Sequence, residues 1–173
     1  FDMFYIGEGE IQYDALLNLY KSMKMAGTSR EEFLHEAAKI PGIYVPGLYE
    51  VTYKEDGTID AFLPKYDDIP VTIQKQVDMD LTTSVYPEKP VVPFIKATQD
   101  RVVLEIQRGC IRGCRFCQAG MIYRPNREKD VSRLKELATK MLKSTGYEEI
   151  SLSSLSSSDY SQLDELVTFL MEE

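Results

Sequence analysis

All three cysteines of this chain fall within eight residues, in Cys110-Ile-Arg-Gly-Cys114-Arg-Phe-Cys117, directly after a strand-like run. Three thiols on one short loop constrain the chain more than any other feature. A disulfide framework would want an even count and a secreted context. Structural zinc would want a fourth nitrogen or sulfur ligand, and the sole histidine, His35, stands 75 residues upstream of Cys110. Iron–sulfur clusters are held by cysteine thiolates, normally one per iron, so three ligands on a four-iron cube leave one iron open to a small molecule. On the residues alone an open-site iron–sulfur cluster leads. Zinc completed by a distant or foreign ligand, and unligated core cysteines, are the alternatives.

Around that loop the composition is ordinary for a globular protein, 43% apolar and 28% charged over 173 residues. This length suits one domain or two small pieces. A net charge of −8 argues against a general nucleic-acid surface, because phosphate contacts need clustered Lys and Arg. Arg108, Arg112, Arg115, Arg124 and Arg127 run against the trend and gather near the cysteines. Their field suits an anionic cluster or ligand, and a solvated loop with ordinary arginines is the plainer reading. No run approaches the ~20 apolar residues of a membrane span, and no basic-then-apolar signal segment opens the chain. A cytoplasmic location, with reduced thiols, is the expectation.

Hydrophobic periodicity divides the chain. Phe1–Ile6 reads as a strand stopped at Gly7-Glu-Gly-Glu10, so the sequence reads as a cut piece. Ile11–Met25 has helical spacing with Gly27 where a C-terminal cap belongs, and Ser29-Arg-Glu-Glu32 is a capping box for a second helix over 30–39, stopped by Pro41. Leu48–Tyr53 and Thr58–Leu63 flank Glu55-Asp56-Gly57, a hairpin signal. Residues 64–97 hold most of the prolines and little periodicity; they read as an extended connector with one short strand at Val71–Ile73. After it comes strand, loop, helix, strand, helix, the signature of parallel βα units. The strand covers 102–107, and Arg108-Gly109 breaks it before Cys110, where Gly113 lets the backbone turn closely. Asp130 N-caps a helix over 131–144 that Gly146 ends, Glu149–Leu152 is the second strand, and Ser161-Gln-Leu-Asp164 starts the last helix. The expected organisation is 1–63, the C-terminal part of an α/β region with a hairpin; 64–99, a connector; and 100–173, the first βα units of a barrel. Two such units cannot close a barrel, so later strands are expected outside this sequence.

The spacing Cys-x3-Cys-x2-Cys, with Phe116 just before the third cysteine, resembles the radical S-adenosylmethionine superfamily. The resemblance implies an α/β fold that starts a partial (β/α) barrel of that type. It implies that Cys110, Cys114 and Cys117 ligate a [4Fe-4S] cluster whose fourth iron takes S-adenosylmethionine, and that Phe116 lies beside the adenine. That family carries a Gly-Gly-Glu-like segment after strand two, where this chain reads Ser151-Leu-Ser-Ser-Leu-Ser-Ser-Ser-Asp159, without the glycines or the glutamate. Ser153, Ser154 and Ser156 are then candidate polar partners for the cofactor; a serine-rich strand end and turn is the alternative. No catalytic side chain is assigned.

Residues 1–10 resemble the last strand and turn of the cobalamin-binding-type domain ahead of many radical enzymes, and Gly42-Ile-Tyr-Val-Pro46 fits the linker they carry. A plain strand-to-helix turn is the other reading of Gly7–Glu10. The group implied is a set of uncharacterised radical proteins with such an N-terminus. The histidine loop that ligates cobalt is not in this sequence, so cobalamin would enter only with upstream residues. The implied function is a radical enzyme cleaving S-adenosylmethionine reductively, for methyl or methylthio transfer or for hydrogen abstraction and rearrangement. It would be fed by an electron donor such as flavodoxin or ferredoxin. The alternative is a non-catalytic metal-binding or electron-transfer iron–sulfur module. This piece alone is expected to turn over little and to self-associate or cover its apolar faces with the N-terminal segment.

Overall fold

The computed structural model describes residues 1–172. The chain divides into two units, the first being Phe1–Asp78 and the second starting at Met79. The division falls inside the proline-rich 64–99 stretch, which is therefore shared between the units.

In the first unit, β1 (Phe4–Tyr5) pairs antiparallel with β2 (Ile43–Tyr44), and α1 (Tyr13–Met25) and α2 (Arg30–Ala37) lie between them in sequence. The strand expected over 1–6 is this short because only Phe4 and Tyr5 find ladder partners. Helix α1 closes at Gly27, whose φ is +70°. Its N–H donates to Lys24 C=O and that of Thr28 to Met23 C=O, the paired bonds of a Schellman end. The capping box at Ser29 forms as the sequence predicts: the Ser29 hydroxyl accepts from Glu32 N–H and the Glu32 carboxylate accepts from Ser29 N–H. Two residues fewer than expected are helical at its end, since Ala38 caps it before Pro41. The hairpin, β3 (Tyr49–Tyr53) and β4 (Ile59–Pro64), turns at Gly57 with φ +82°.

No strand forms at 71–73. Pairing moves instead to Gln76, which bridges Gly7 in parallel. Gly7 allows this approach because its φ is +127° and a Cβ there would stand 2.1 Å from Gln76 O. Ala37, Ala38, Ile43, Val45, Tyr49 and Ile69 form this unit's core.

The second unit is a parallel βα unit with an inserted loop. In chain order it holds β5 (Val102–Glu105), β6 (Gln107–Arg108), α3 (Ala119–Ile122), β7 (Arg127–Glu128), α4 (Val131–Thr145), β8 (Ile150–Ser153) and α5 (Leu163–Glu172). Strands β5 and β8 run parallel, Val102 beside Ile150 and Leu104 beside Leu152, with α4 as the crossover. The apolar stripe of α4 explains the packing: Val131, Leu134, Leu137, Ala138 and Met141 are buried with Val102, Leu104, Ile106, Tyr160 and Leu166. Asp130 accepts from Ser132 N–H at the start of α4, and Gly146, φ +73°, ends it. Ser161 does not cap α5 through Asp164 as expected; its N–H and hydroxyl bond the Glu128 carboxylate instead.

The free edge of β5 is protected by a side chain. The Tyr86 hydroxyl donates to Val103 C=O at 2.9 Å and accepts from Glu105 N–H at 3.1 Å, where a neighbouring strand would pair. Beneath this ring lies the buried Lys129, its ammonium 3.9 Å from the ring centroid.

Candidate metal centre

The strand expected over 102–107 changes partner at Ile106. Its last residues form β6, which pairs antiparallel with β7, Gln107 with Glu128 and Arg108 with Arg127. This two-rung ladder is the neck of the loop that carries the cysteines. Sequence periodicity did not reveal β7, because two residues are too short to show alternation.

Gly109 starts the loop with φ +86°, and a Cβ on it would lie 2.6 Å from Pro125 O and 2.8 Å from Tyr123 O. Gly113, inside the motif, has open space around it on the protein side. Arg127 is buried and turned back into the loop, donating from Nε to Pro125 C=O at 3.0 Å. Arg108 forms a two-pronged pair with Glu105, both bonds at 2.9 Å. Two of the five arginines near the cysteines thus shape the neck.

Within the loop, Cys117 N–H donates to Cys114 C=O at 3.0 Å. The Cys110 sulfur accepts from Arg112 N–H and the Cys117 sulfur from Gly120 N–H, each at 3.3 Å. Cys114 is exposed and all three are free thiols. No group of three or more Cys, His, Asp or Glu side chains among the described residues stands close enough to hold a metal ion. The donor chemistry nevertheless fits an iron–sulfur cluster: three thiols share one loop, and backbone N–H groups already aim at two of the sulfurs, the kind of bond that tunes such clusters. Two buried acceptors at the neck, Gln107 Oε1 and Asn126 Oδ1, have no hydrogen-bond partner and suit a ligand that brings donors. Phe116 is exposed beside Cys117.

The serine-rich turn lies directly after β8. Ser153 is exposed at the strand end. The Ser154 hydroxyl accepts from Ser156 N–H at 3.1 Å and bonds Ser157, while the Ser156 hydroxyl donates to Asp159 at 2.7 Å. The turn is tied to the loop by Gln107 and by a pairing of Arg112 with Asp159 that no spacing in the sequence shows. Gln107 Nε2 donates to Ser156 C=O at 2.6 Å. Arg112, between the first two cysteines, grips Asp159 through Nε at 2.7 Å and through Nη2. The Arg112 guanidinium, with the Ser156 hydroxyl second, holds the Asp159 carboxyl down to about 2. A lone carboxylate inside a serine run was the available signal. Tyr160 adds a buried bond from its hydroxyl to Lys129 C=O at 2.8 Å, and burial pushes its phenol up to about 12.

His35 lies in the first unit, where its Nε2 bonds Asp68 and Lys39 also pairs with that carboxylate. No helix among the described residues is long and apolar enough to cross a membrane.

Residues 104–173 match the family model described as the Radical SAM superfamily, and residues 1–46 match that of Radical SAM proteins, N-terminal. The second match includes the segment likened to the end of a cobalamin-binding domain, and it carries no cobalamin-binding description. An uncharacterised protein of Methanocaldococcus jannaschii is 32% identical over 112 residues, which is 60% of this chain and 25% of that protein. The chain spans about a quarter of the length of the curated relative it matches. No solved structure matches it. Membership implies in general an enzyme type that uses a [4Fe-4S] cluster and S-adenosylmethionine. The model covering the cysteine loop and the model covering the start of the chain point to one lineage, and the two matches support membership of the Radical SAM superfamily.

Proposed function

We propose that this chain is the cluster-bearing part of an enzyme that cleaves S-adenosylmethionine reductively. The observation that carries the reading is that every cysteine of the chain sits on one necked loop between the first strand and the helix of a parallel βα unit. Cys110, Cys114 and Cys117 would hold a [4Fe-4S] cluster. When bound, that cluster supplies one electron, which breaks the sulfonium carbon–sulfur bond of S-adenosylmethionine into methionine and a 5′-deoxyadenosyl radical. The chain's own part is to hold and orient. Gly109 and Arg127 set the curvature of the loop, Phe116 offers an exposed ring for the adenine, and Ser153, Ser154 and Ser156 offer hydroxyls to the polar end of the ligand. The unit β5–α4–β8 would begin a partial (β/α) barrel, with residues 1–63 and 64–99 ahead of it as N-terminal region and connector.

Methyl or methylthio transfer is the leading reaction, with flavodoxin or ferredoxin as the electron donor. Self-association of this piece in solution belongs to the same reading, because apolar side chains such as Val103 and Met171 are exposed. A non-catalytic iron–sulfur or zinc module is the second reading, because the same three thiols, Cys114 exposed and Cys110 and Cys117 half-buried, would serve it as well.

Anaerobic reconstitution decides between them. Roughly four irons per chain, lost on replacing any one of the cysteines by Ala, and an electron paramagnetic resonance signal that shifts on adding S-adenosylmethionine are expected. Stoichiometric zinc without iron, or an iron signal indifferent to S-adenosylmethionine, would overturn the reading.

A further inference from the structure

Asp159 and Arg112 belong to two different segments that the proposed chemistry needs on the same side of the strand ends. Arg112 sits inside the cysteine motif, two residues from Cys110 and two from Cys114. Its backbone N–H is committed to the Cys110 sulfur, so the path of the main chain at this residue and the place of that thiol are linked. Its guanidinium reaches across to a carboxylate 47 residues away. The two partners differ in exposure: the Arg112 side chain is 62% exposed and that of Asp159 only 9%. The carboxylate is therefore the fixed member, and the loop comes to it. Asp159 is fixed in turn by the Ser156 hydroxyl at 2.7 Å. The Ser156 carbonyl is anchored by Gln107, whose side chain rises from the neck of the same loop.

The contacts form a closed circuit: neck, serine turn, carboxylate, guanidinium, first cysteine. A two-pronged guanidinium–carboxylate bond fixes direction as well as distance, which a lysine would not. We propose that the Arg112–Asp159 pair is a latch that holds the cysteine loop against the turn after β8, so that Arg112 and Asp159 are positioning residues for the cluster site. For its consequence in catalysis this rests on the reading of the cysteines as cluster ligands; the latch itself is a property of the protein part alone.

The test is therefore made twice on the full-length protein. In the metal-free state, amide hydrogen exchange of residues 110–117 followed by mass spectrometry should speed up on the order of tenfold in Asp159→Asn and in Arg112→Ala. The charge-reversed double variant, Arg112→Asp with Asp159→Arg, should recover most of the protection. After reconstitution, the single variants should keep their iron but raise KM for S-adenosylmethionine far more than they lower kcat for 5′-deoxyadenosine release, and the double variant should again recover. Exchange in the single variants equal to that of the natural protein would overturn the latch. So would a double variant no better protected than the worse single one. A natural protein that takes up no iron would defeat the functional reading instead, and the exchange data would still decide the latch.

Discussion

At the residue scale the cysteine loop depends on one glycine. Gly109 has a left-handed φ of +86° and no room for a Cβ. Gly109→Ala adds left-handed strain of roughly 1–2 kcal/mol and must also push the Tyr123–Asn126 backbone aside. Chemical denaturation of the metal-free protein should therefore show a loss of about 2 kcal/mol or more. Gly113→Ala, three residues into the motif with nothing within 4 Å, should change stability by less than about 0.5 kcal/mol. Equal losses at the two sites would mean that the neck is not where the backbone is constrained. Asp68 supplies a second residue-level expectation. The hydrogen bond from His35, then that from Lys39, lowers its carboxyl from 3.8 to about 2. The folded value is the depressed one, so the stabilisation is present above the ordinary carboxylate range and disappears as pH falls toward 2. The carboxyl carbon resonance of Asp68 should titrate near 2 and move up toward 3.8 in His35→Ala. A midpoint that ignores the substitution would remove His35 as the cause.

At the scale of elements, a lone side chain does the work of a strand on β5. Tyr86→Phe keeps the ring, and with it the cation beneath, but removes both bonds to Val103 C=O and Glu105 N–H. Val103 is exposed, so water can take its carbonyl, whereas Glu105 N–H is partly buried; an unpaired buried backbone group costs about 1–3 kcal/mol, so denaturation should register a loss near the lower end of that range together with faster exchange of the Glu105 amide. No change in that amide would show that water replaces the hydroxyl without cost. The helices differ in how completely they commit. Helix α4 buries five side chains, whereas α1 buries none fully; stability in the second unit should therefore concentrate on α4.

At the scale of the molecule, the two cores have no residue in common. Leu134→Ala, at a fully buried position, should cost the second unit about 2–5 kcal/mol through lost burial and the cavity left behind. Amide protection around Ala37 and Ile43 should stay at its original level. Equal loss of protection in both units would mean that they unfold as one. The division into two units was only partly legible in the sequence: the proline-rich stretch marked the region of change, but nothing in its composition located the break at Asp78.

Strong local signals in the sequence settled much by themselves. The Ser29–Glu32 box, Gly27, Asp56-Gly57, Asp130 and Gly146 each satisfy backbone groups within a few residues, so their effect does not wait for the rest of the fold. The parallel pairing of β5 and β8 was legible for a similar reason: a 15-residue amphipathic helix between two apolar runs leaves the strands little choice. The cysteine motif was legible because its three thiols share one eight-residue stretch. What the sequence could not supply were the contacts that join distant segments. The β6–β7 neck, Tyr86 on the edge of β5, Gln107 on Ser156 and Arg112 on Asp159 pair residues 17 to 49 positions apart. Such partners are chosen by where the folded backbone brings polar groups within hydrogen-bond reach, and no periodicity or spacing in the chain records that choice; only the tertiary structure does.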